Sequence, residues 1–191
     1  MDQWQIRVSP WIIKDGNYPH FFVSQVTQFA IELGLTKLVA SPTIPKSAYA
    51  TLPSEYQITG EVVYLFERTY VLDFGVLAYQ ETKRMPEAIK MGAQVTGEIM
   101  LEIDPYFYKA YLYKLPGIPP LIYTWRVDKI VEEASPTLYR VENGRGIISV
   151  DKSKTEYKEV ERTAEEPSNM MVDYIMHCTI VGEPQWQRNK I

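Results

Sequence analysis

Alternation of apolar and polar residues in short segments constrains the fold of this chain more than any other feature. In the first such segment Trp4, Ile6 and Val8 are apolar, and the residues between them are polar. Side chains of a strand point alternately to its two faces, so this pattern indicates a strand with one buried face. Further strands are predicted in four segments: residues 56–66, 70–80, 93–103 and 121–130.

Other segments carry weaker signals. Residues 171–181 are almost continuously apolar, which is typical of a central strand. Residues 137–141 and 146–150 flank Asn143-Gly144, a dipeptide that favours a hairpin turn. Residues 20–35 fit a helical stripe or a strand, and their β-branched residues favour the strand. Three remaining segments are predicted to lack a regular core strand: a loop at 41–54, a charged hairpin or loop at 152–168, and a flexible tail at 183–191.

A six-residue pattern occurs twice in the predicted strands. Gln-Ile-Thr-Gly-Glu-Val at 57–62 is echoed by Gln-Val-Thr-Gly-Glu-Ile at 94–99. A glycine inside a strand marks a bulge, a bend or a close backbone approach. Two strands bent at equivalent points suggest a strongly curved sheet that closes into a barrel. In this respect residues 56–103 resemble the opening strands of OB-type or SH3-like barrels.

One short helix is predicted near residues 105–115. Asp104 is a favourable N-cap residue, and Pro105 after it suits the first helical position. The following Leu115-Pro116-Gly117 would end the helix. We therefore predict a single mainly β domain over residues 1–191, a curved antiparallel sheet closed into a barrel, with about nine strands and this helix.

Composition excludes several classes of protein. The chain has 191 residues, a net charge of −4 and no dense run of Lys or Arg. This composition argues against nucleic acid as a partner. The single cysteine precludes an intramolecular disulfide and fits a reducing compartment. No basic, apolar leader and no apolar run of about 20 residues is present. We expect a soluble cytoplasmic protein that does not contact membranes.

The residues with catalytic potential do not form a recognisable pattern. His20, His177 and Cys178 are too few for a zinc site built from such ligands. If His177 and Cys178 lie in a strand, they point to opposite faces and cannot act as base and nucleophile. Among carboxylates, Glu61 and Glu98 are expected on the solvent face of their strands. Asp73, the third candidate, interrupts an apolar run and is expected to have hydrogen-bond partners. No phosphate-binding loop is found, and we predict neither a catalytic residue nor a metal or cofactor.

Aromatic residues are concentrated between Asp104 and Trp125. Tyr and Trp combine an apolar body with a polar tip, which suits contact surfaces and ligand sites. An alternative interpretation is a helix that caps one end of the barrel, with hydroxyls reaching solvent. As candidate binding residues we select seven: Tyr106, Phe107, Tyr108, Tyr111, Tyr113, Tyr123 and Trp125.

Three hypotheses for function follow. The first is a non-enzymatic protein that binds a protein partner or associates with itself, for which Tyr108 or Tyr111 would be exposed. The second is a barrel that binds a small molecule in a closed apolar cavity behind Tyr123 and Trp125. The third is a nucleic-acid-binding barrel of the OB type, for which three basic residues would cluster with exposed aromatics: Lys83, Arg84 and Lys90.

Overall fold

The fold consists mainly of β-strands. The computed structural model describes residues 3–42, 45–83, 85–142, 145–164 and 170–186. The strands are β1 Gln3–Val8, β2 Val26–Phe29, β3 Ile31–Ala40, β4 Ser47–Leu52, β5 Glu55–Phe66, β6 Thr69–Asp73, β7 Leu77–Glu81, β8 Gln94–Ile103, β9 Ile122–Glu142, β10 Arg145–Val150, β11 Glu156–Val160 and β12 Met170–Gln185. The helices are α1 Pro10–Lys14 and α2 Phe107–Ala110, with 3-10 turns at Leu112–Lys114 and Lys152–Lys154.

Five strands close into a barrel, as the repeated glycine pattern predicted. The order around the barrel is β3, β7, β6, β5 and β8, and β8 pairs again with β3. All neighbouring pairs are antiparallel except β3 with β7. Apolar side chains from these strands are buried in the main hydrophobic core, among them Leu33, Ile58, Leu72, Ile99 and Leu101. The prediction of a mainly β fold with a barrel is confirmed.

The two copies of the glycine pattern lie side by side in the barrel. β5 and β8 are antiparallel, and their register pairs Ile58 with Gly97 and Thr59 with Thr96. Gly97 has a φ of +153°, and a Cβ built on it would overlap the backbone carbonyl oxygen of Lys37 on β3. Gly97 is therefore the position at which β3 crosses β8 too closely for any side chain.

A second group of strands is organised around β9. β12 pairs along one edge of β9, and β2, β11 and β10 pair in succession along the other edge. β1 joins this group to the barrel because it pairs with β12 and, in parallel, with β8. Alternate side chains of β9 are buried, among them Tyr123, Trp125 and Val127.

Several predicted boundaries need correction. Residues 41–54, predicted to be a loop, contain β4, whose residues are mostly exposed and whose apolar pattern is correspondingly weak. Ser135-Pro136 does not separate two strands, since β9 runs through it and Pro136 accepts a hydrogen bond from Asp151 N–H. β12 extends to Gln185, so residues 183–185 are not a tail. Residues 187–191 lie outside the described residues.

Other predictions are confirmed in part. β2 and β3 lie within or overlap residues 20–35, for which the strand was favoured. β11 occupies part of the charged segment 152–168 and is mostly exposed. β9 and β10 form the predicted hairpin on either side of residues 143–144, which themselves lie outside the described residues.

The predicted helix is present but shorter than expected. It comprises α2 and the 3-10 turn, because Tyr106 adopts a left-handed conformation with φ of +80° and Tyr111 also leaves the helical region. α1 is a second short helix that was not predicted, although Pro10 stands at its first turn. Neither helix approaches the length of apolar helix that a bilayer crossing requires, and the same holds throughout the described part of the chain.

Candidate functional site

The aromatic residues of segment 104–125 divide into an exposed and a buried group. The exposed fractions of Tyr106, Phe107 and Tyr111 are 38%, 45% and 66%, and Tyr113 is half-buried. We call these four residues the exposed aromatic face. Tyr108, Tyr123 and Trp125 are buried in the core. The structure thus places four of the seven predicted site residues where another molecule can reach them.

Tyr108 anchors the segment to the barrel. Its hydroxyl donates to the carbonyl oxygen of Pro119 (2.9 Å) and accepts a hydrogen bond from the Leu121 N–H (3.2 Å). Its ring lies 6.4 Å from that of Tyr79 on β7. A buried tyrosine whose hydroxyl both donates and accepts ties its own segment to the backbone that it bonds, here residues 119–121. The neighbouring exposed aromatics are therefore carried on a fixed segment.

Tyr123 and Trp125 belong to the packing between β9 and its neighbours. The Trp125 ring stacks on Phe29 at 5.3 Å, and its indole N–H donates to the Phe29 carbonyl oxygen (3.1 Å). The Tyr123 ring lies 5.4 Å from Trp125, and its hydroxyl accepts a hydrogen bond from the Leu77 N–H (2.8 Å). Packing and hydrogen bonding within the fold thus explain the presence of both aromatic side chains.

A buried carboxylate lies beneath the exposed aromatic face. Asp104 is fully buried, and its Oδ1 accepts hydrogen bonds from the Tyr79 hydroxyl (2.6 Å) and the Tyr108 N–H (3.1 Å). Its Oδ2 has no hydrogen-bond partner among the described residues. Burial raises the pKa of Asp104, and these hydrogen bonds oppose the shift. The predicted N-cap position of Asp104 is wrong, because Tyr106 precedes the first residue of α2, but Asp104 still accepts a hydrogen bond from the Tyr108 N–H within that helix.

Tyr18 approaches the same carboxylate from the loop after α1. Its ring packs edge-to-face on Tyr106 (6.1 Å between centroids), and the Asn17 side-chain amide donates to the carbonyl oxygen of Pro105. The hydroxyl of Tyr18 is buried and, like Asp104 Oδ2, has no partner among the described residues. Burial, followed by the charge of Asp104, raises the pKa of Tyr18, so the phenol stays protonated.

Two further carboxylates face each other across β3 and β8. Glu32 is directly paired with Glu102, two residues before Asp104, and both side chains are half-buried. Burial raises the pKa of Glu32 to about 7, with smaller contributions from the charges of Asp104, Glu102 and Glu81. Burial also raises the pKa of Glu102, which the charge of Arg7 opposes. Like charges directly opposite each other destabilise a sheet, so this pair is costly when ionised.

Lys109 places an ammonium group over two of the aromatic rings. Its Nζ lies 5.2 Å from the ring centroid of Tyr18 and 5.5 Å from that of Tyr106, and it donates to the Gln28 carbonyl oxygen (3.1 Å). Burial lowers the pKa of Lys109, and the charge of Asp104 opposes this shift. Cations are attracted to the faces of aromatic rings, so the geometry is favourable for the charged amine.

Sequence reasoning missed most of this polar cluster. Asp104 was interpreted only as a helix N-cap, and Tyr18, Glu32 and Lys109 were not selected. Glu32 alternates with apolar Ile31 and Leu33, which predicts a solvent-facing side chain. The strand pattern itself does not encode the partial burial that the structure shows for Glu32.

The carboxylates selected from the sequence have other roles. Glu61 and Asp73 both bind Lys46, at 3.4 and 2.7 Å, and Glu98 is exposed. A surface lysine thus forms ion pairs with two of the three carboxylates, and the third is exposed to solvent.

The histidine, cysteine and basic candidates differ in their surroundings. Cys178 is buried, which raises the pKa of its thiol, and burial together with Lys129 lowers the pKa of His177. Lys83 and Lys90 are exposed, and Arg84 lies outside the described residues. In the portion of the chain that the structure describes, no three His, Cys, Asp or Glu side chains are grouped as a metal site would require.

Comparison with known proteins adds no constraint on function. No protein-family model, no curated protein and no solved structure matches this chain.

Proposed function

We propose that this protein acts by binding another protein chain, either a partner or a second copy, through the exposed aromatic face. The observation that carries the proposal is the exposure of Tyr106, Phe107 and Tyr111 on one short segment. Aromatic side chains are enriched at the centres of protein interfaces, where they supply much of the binding energy.

The fixed backbone of this segment supports the proposal. Binding loses less free energy when the contacting groups are already ordered, because fewer rotamers and backbone angles must be frozen. Tyr108 and Asp104 hold the backbone on both sides of the exposed residues through buried hydrogen bonds.

The polar tips of the tyrosines also fit a protein partner. Tyr106, Tyr111 and Tyr113 each present a hydroxyl that can hydrogen-bond to a partner's backbone, and each ring offers apolar contact area. Lys109 and Lys114 lie against these rings, so the rim of the face carries positive charge. An interface with an aromatic centre and a charged rim has the composition of many non-obligate protein contacts.

Site-specific photo-cross-linking tests the proposal. Benzoylphenylalanine is placed at Phe107 or Tyr111 in the full chain, and the protein is irradiated in an extract of its own host and, separately, as a concentrated pure sample. We expect one discrete protein adduct, shared by the two positions, in at least one of the two samples.

Exposed tyrosines elsewhere on the molecule serve as matched controls. Tyr49 on β4 and Tyr157 on β11 are each 57% exposed, between Phe107 at 45% and Tyr111 at 66%, so non-specific collisions reach them to a similar extent. Adducts that are equally strong at all four positions, or adducts at none of them, would contradict the proposal.

A further inference from the structure

We propose that the barrel opens locally between β3 and β7, and that the negative charge of Glu32 favours this opening. We call the boundary between these two strands the seam, and define it as residues 31–34 of β3 and 77–81 of β7. The opening takes place within one chain and does not depend on the exposed aromatic face binding a protein.

The seam has less backbone pairing than any other boundary of the barrel. Among the described residues a single registered pair joins β3 to β7, that of Glu32 with Tyr79. Every other pair of neighbouring barrel strands has five or more registered pairs. The pairing of β3 with β7 is also parallel, and parallel pairing is slightly less stable per residue. Local opening is expected at such a boundary, because few backbone hydrogen bonds must break.

Side-chain hydrogen bonds connect the two sides of the seam. The side-chain amide of Gln80 on β7 donates to the carbonyl oxygen of Gly34 on β3 (3.1 Å). Asp104 spans the seam, because its Oδ1 accepts from the Tyr79 hydroxyl (2.6 Å) and its N–H donates to the Ala30 carbonyl oxygen (3.0 Å). Ala30 directly precedes β3, so Asp104 holds β7 against the start of that strand.

Tyr123 of β9 provides a further connection at the start of β7. Its hydroxyl accepts from the Leu77 N–H (2.8 Å), and Tyr123 pairs in register with Phe29, two residues before β3. The closed seam thus depends on a few side-chain hydrogen bonds in place of a continuous backbone ladder. Each such bond contributes modestly to stability, so a change of charge beside the seam can shift it between closed and open states.

The carboxylates beside the seam repel one another when they are ionised. Glu32 of β3 lies opposite Glu102 of β8, and Glu81 lies two residues after Tyr79 on β7. Burial, followed by the charges of Asp104, Glu102 and Glu81, raises the pKa of Glu32 to about 7. Like charges on adjoining strands destabilise a sheet, so ionisation of Glu32 weakens the closed seam.

Two cations act on this group of carboxylates, but neither compensates Glu32. Burial raises the pKa of Glu102, and the charge of Arg7 opposes that shift. Burial also raises the pKa of Asp104, and hydrogen bonds together with the charge of Lys109 oppose it. Neither cation contributes to the pKa of Glu32.

The direction of the pH effect follows from the state of Glu32 on either side of the opening. In the open seam water reaches the carboxyl group, which then ionises near its ordinary pKa of 4.5. The closed seam therefore binds the proton more tightly than the open one. Closure is favoured at low pH, and opening increases as the pH rises from 4.5 through 7.

Hydrogen–deuterium exchange of backbone amides, followed by NMR on the full chain, tests the proposal. Exchange is measured with and without low concentrations of urea, and is corrected for the intrinsic rate of each amide. The Leu77 N–H and the amides at the Glu32–Tyr79 pair should exchange through an opening that urea barely affects, because a local opening exposes little surface. Amides that pair β5 with β8 should exchange through global unfolding, which urea promotes strongly.

The pH response of the seam is the second readout. Between pH 5.5 and pH 7.5 the equilibrium constant for seam opening should rise by about 10-fold in the wild type. Glu32→Gln keeps the shape of the side chain and removes its charge, so it should abolish this rise. Glu98→Gln, at an exposed position of β8, is the matched control and should keep the wild-type response.

A third readout tests the side-chain connections. Tyr79→Phe removes the hydroxyl that binds Asp104 and should raise the opening constant by about 5-fold at both pH values. Tyr56→Phe is its control, since Tyr56 is also buried and its hydroxyl accepts one hydrogen bond, from the Gln5 N–H (2.7 Å), on a different strand, β5. The control should leave the seam unchanged.

The wild-type measurements do not depend on any variant folding. The proposal is overturned if the seam amides exchange only through global unfolding, or if their opening constant is the same at both pH values in the wild type. It is also overturned if Glu32→Gln retains the pH response, or if Tyr79→Phe and Tyr56→Phe affect the seam equally.

Discussion

Single residues decide where this barrel can close. Gly97 lies where β3 and β8 approach most closely, and its positive φ is open to glycine but strained for other residues. Tyr106 also has a positive φ, of +80°, which strains the backbone of a residue other than glycine. Non-glycine residues in this region persist only where surrounding contacts hold them, as Tyr18 and Lys109 hold Tyr106.

We predict that Gly97→Ala destabilises the protein by about 3 kcal/mol or more, since both the φ angle and the overlap with the Lys37 carbonyl oppose a Cβ. Urea unfolding measures the change. Gly182→Ala on β12 is the matched control, because its nearest neighbour would be the Thr124 side chain at 3.5 Å. We expect Gly182→Ala to change the free energy of unfolding by less than about 1 kcal/mol. Equal effects at Gly97 and Gly182 would contradict this interpretation of Gly97.

The significance of the glycines was visible in the sequence, whereas that of the buried polar cluster was not. The repeated Thr-Gly-Glu pattern indicated two strands bent at equivalent points, and the structure pairs those strands with each other. The cluster joins Tyr18, Glu32 and Asp104, which are far apart in the chain. The effect of the Asp104 charge on Tyr18 and Glu32 depends on tertiary packing, and no local periodicity carries that information.

At the scale of elements, the pairing of β3 with β8 combines barrel closure with electrostatic strain. Apolar Ile31 and Leu33 face the core from β3, while Glu32 between them is set directly against Glu102 of β8. The strand pattern predicted such alternation but could not show which strand would lie opposite. The same limit applies to β4 and β9. The weak apolar pattern of β4 concealed an exposed edge strand, and Ser135-Pro136 concealed the continuity of β9.

This pairing predicts a pH dependence of stability. The pKa of Glu32 is about 7 in the folded protein and has its ordinary value of 4.5 in the unfolded chain. The folded state therefore binds the proton more tightly, and stability falls as pH rises from 4.5 through 7. Between those limits the Glu32 contribution lost is roughly 1–3 kcal/mol, discounted for partial exposure.

Urea unfolding of the wild-type protein and of Glu32→Gln at several pH values measures this contribution. The variant should be the more stable protein at pH 8, and its advantage should vanish towards pH 4.5. Glu98→Gln, at an exposed position of β8, is the control and should follow the wild-type curve. A wild-type curve parallel to that of Glu32→Gln would show that Glu32 titrates normally.

At the scale of the whole molecule, a closed barrel and the sheet around β9 are joined by β1, which pairs with β8 of the barrel and with β12. Together they support one exposed segment. The mainly β class, the barrel and the short helix followed from the sequence because each depends on local patterns of alternation, glycine and proline. The exposed aromatic face followed only in part. Composition identified the aromatic segment, but the packing of Tyr108, Tyr123 and Trp125 determined which of its side chains remain outside the core.

The central claim is that this face binds another protein chain, and native mass spectrometry of the protein purified gently from its own host tests it most directly. We expect the wild type to carry a second chain, and the double variant Phe107→Ser, Tyr111→Ser to lose it, since removing two aromatic anchors should weaken an interface by about 100-fold or more. The double variant Tyr49→Ser, Tyr157→Ser should retain the complex. A bare wild-type monomer, or a complex that survives in the first double variant, would contradict the claim.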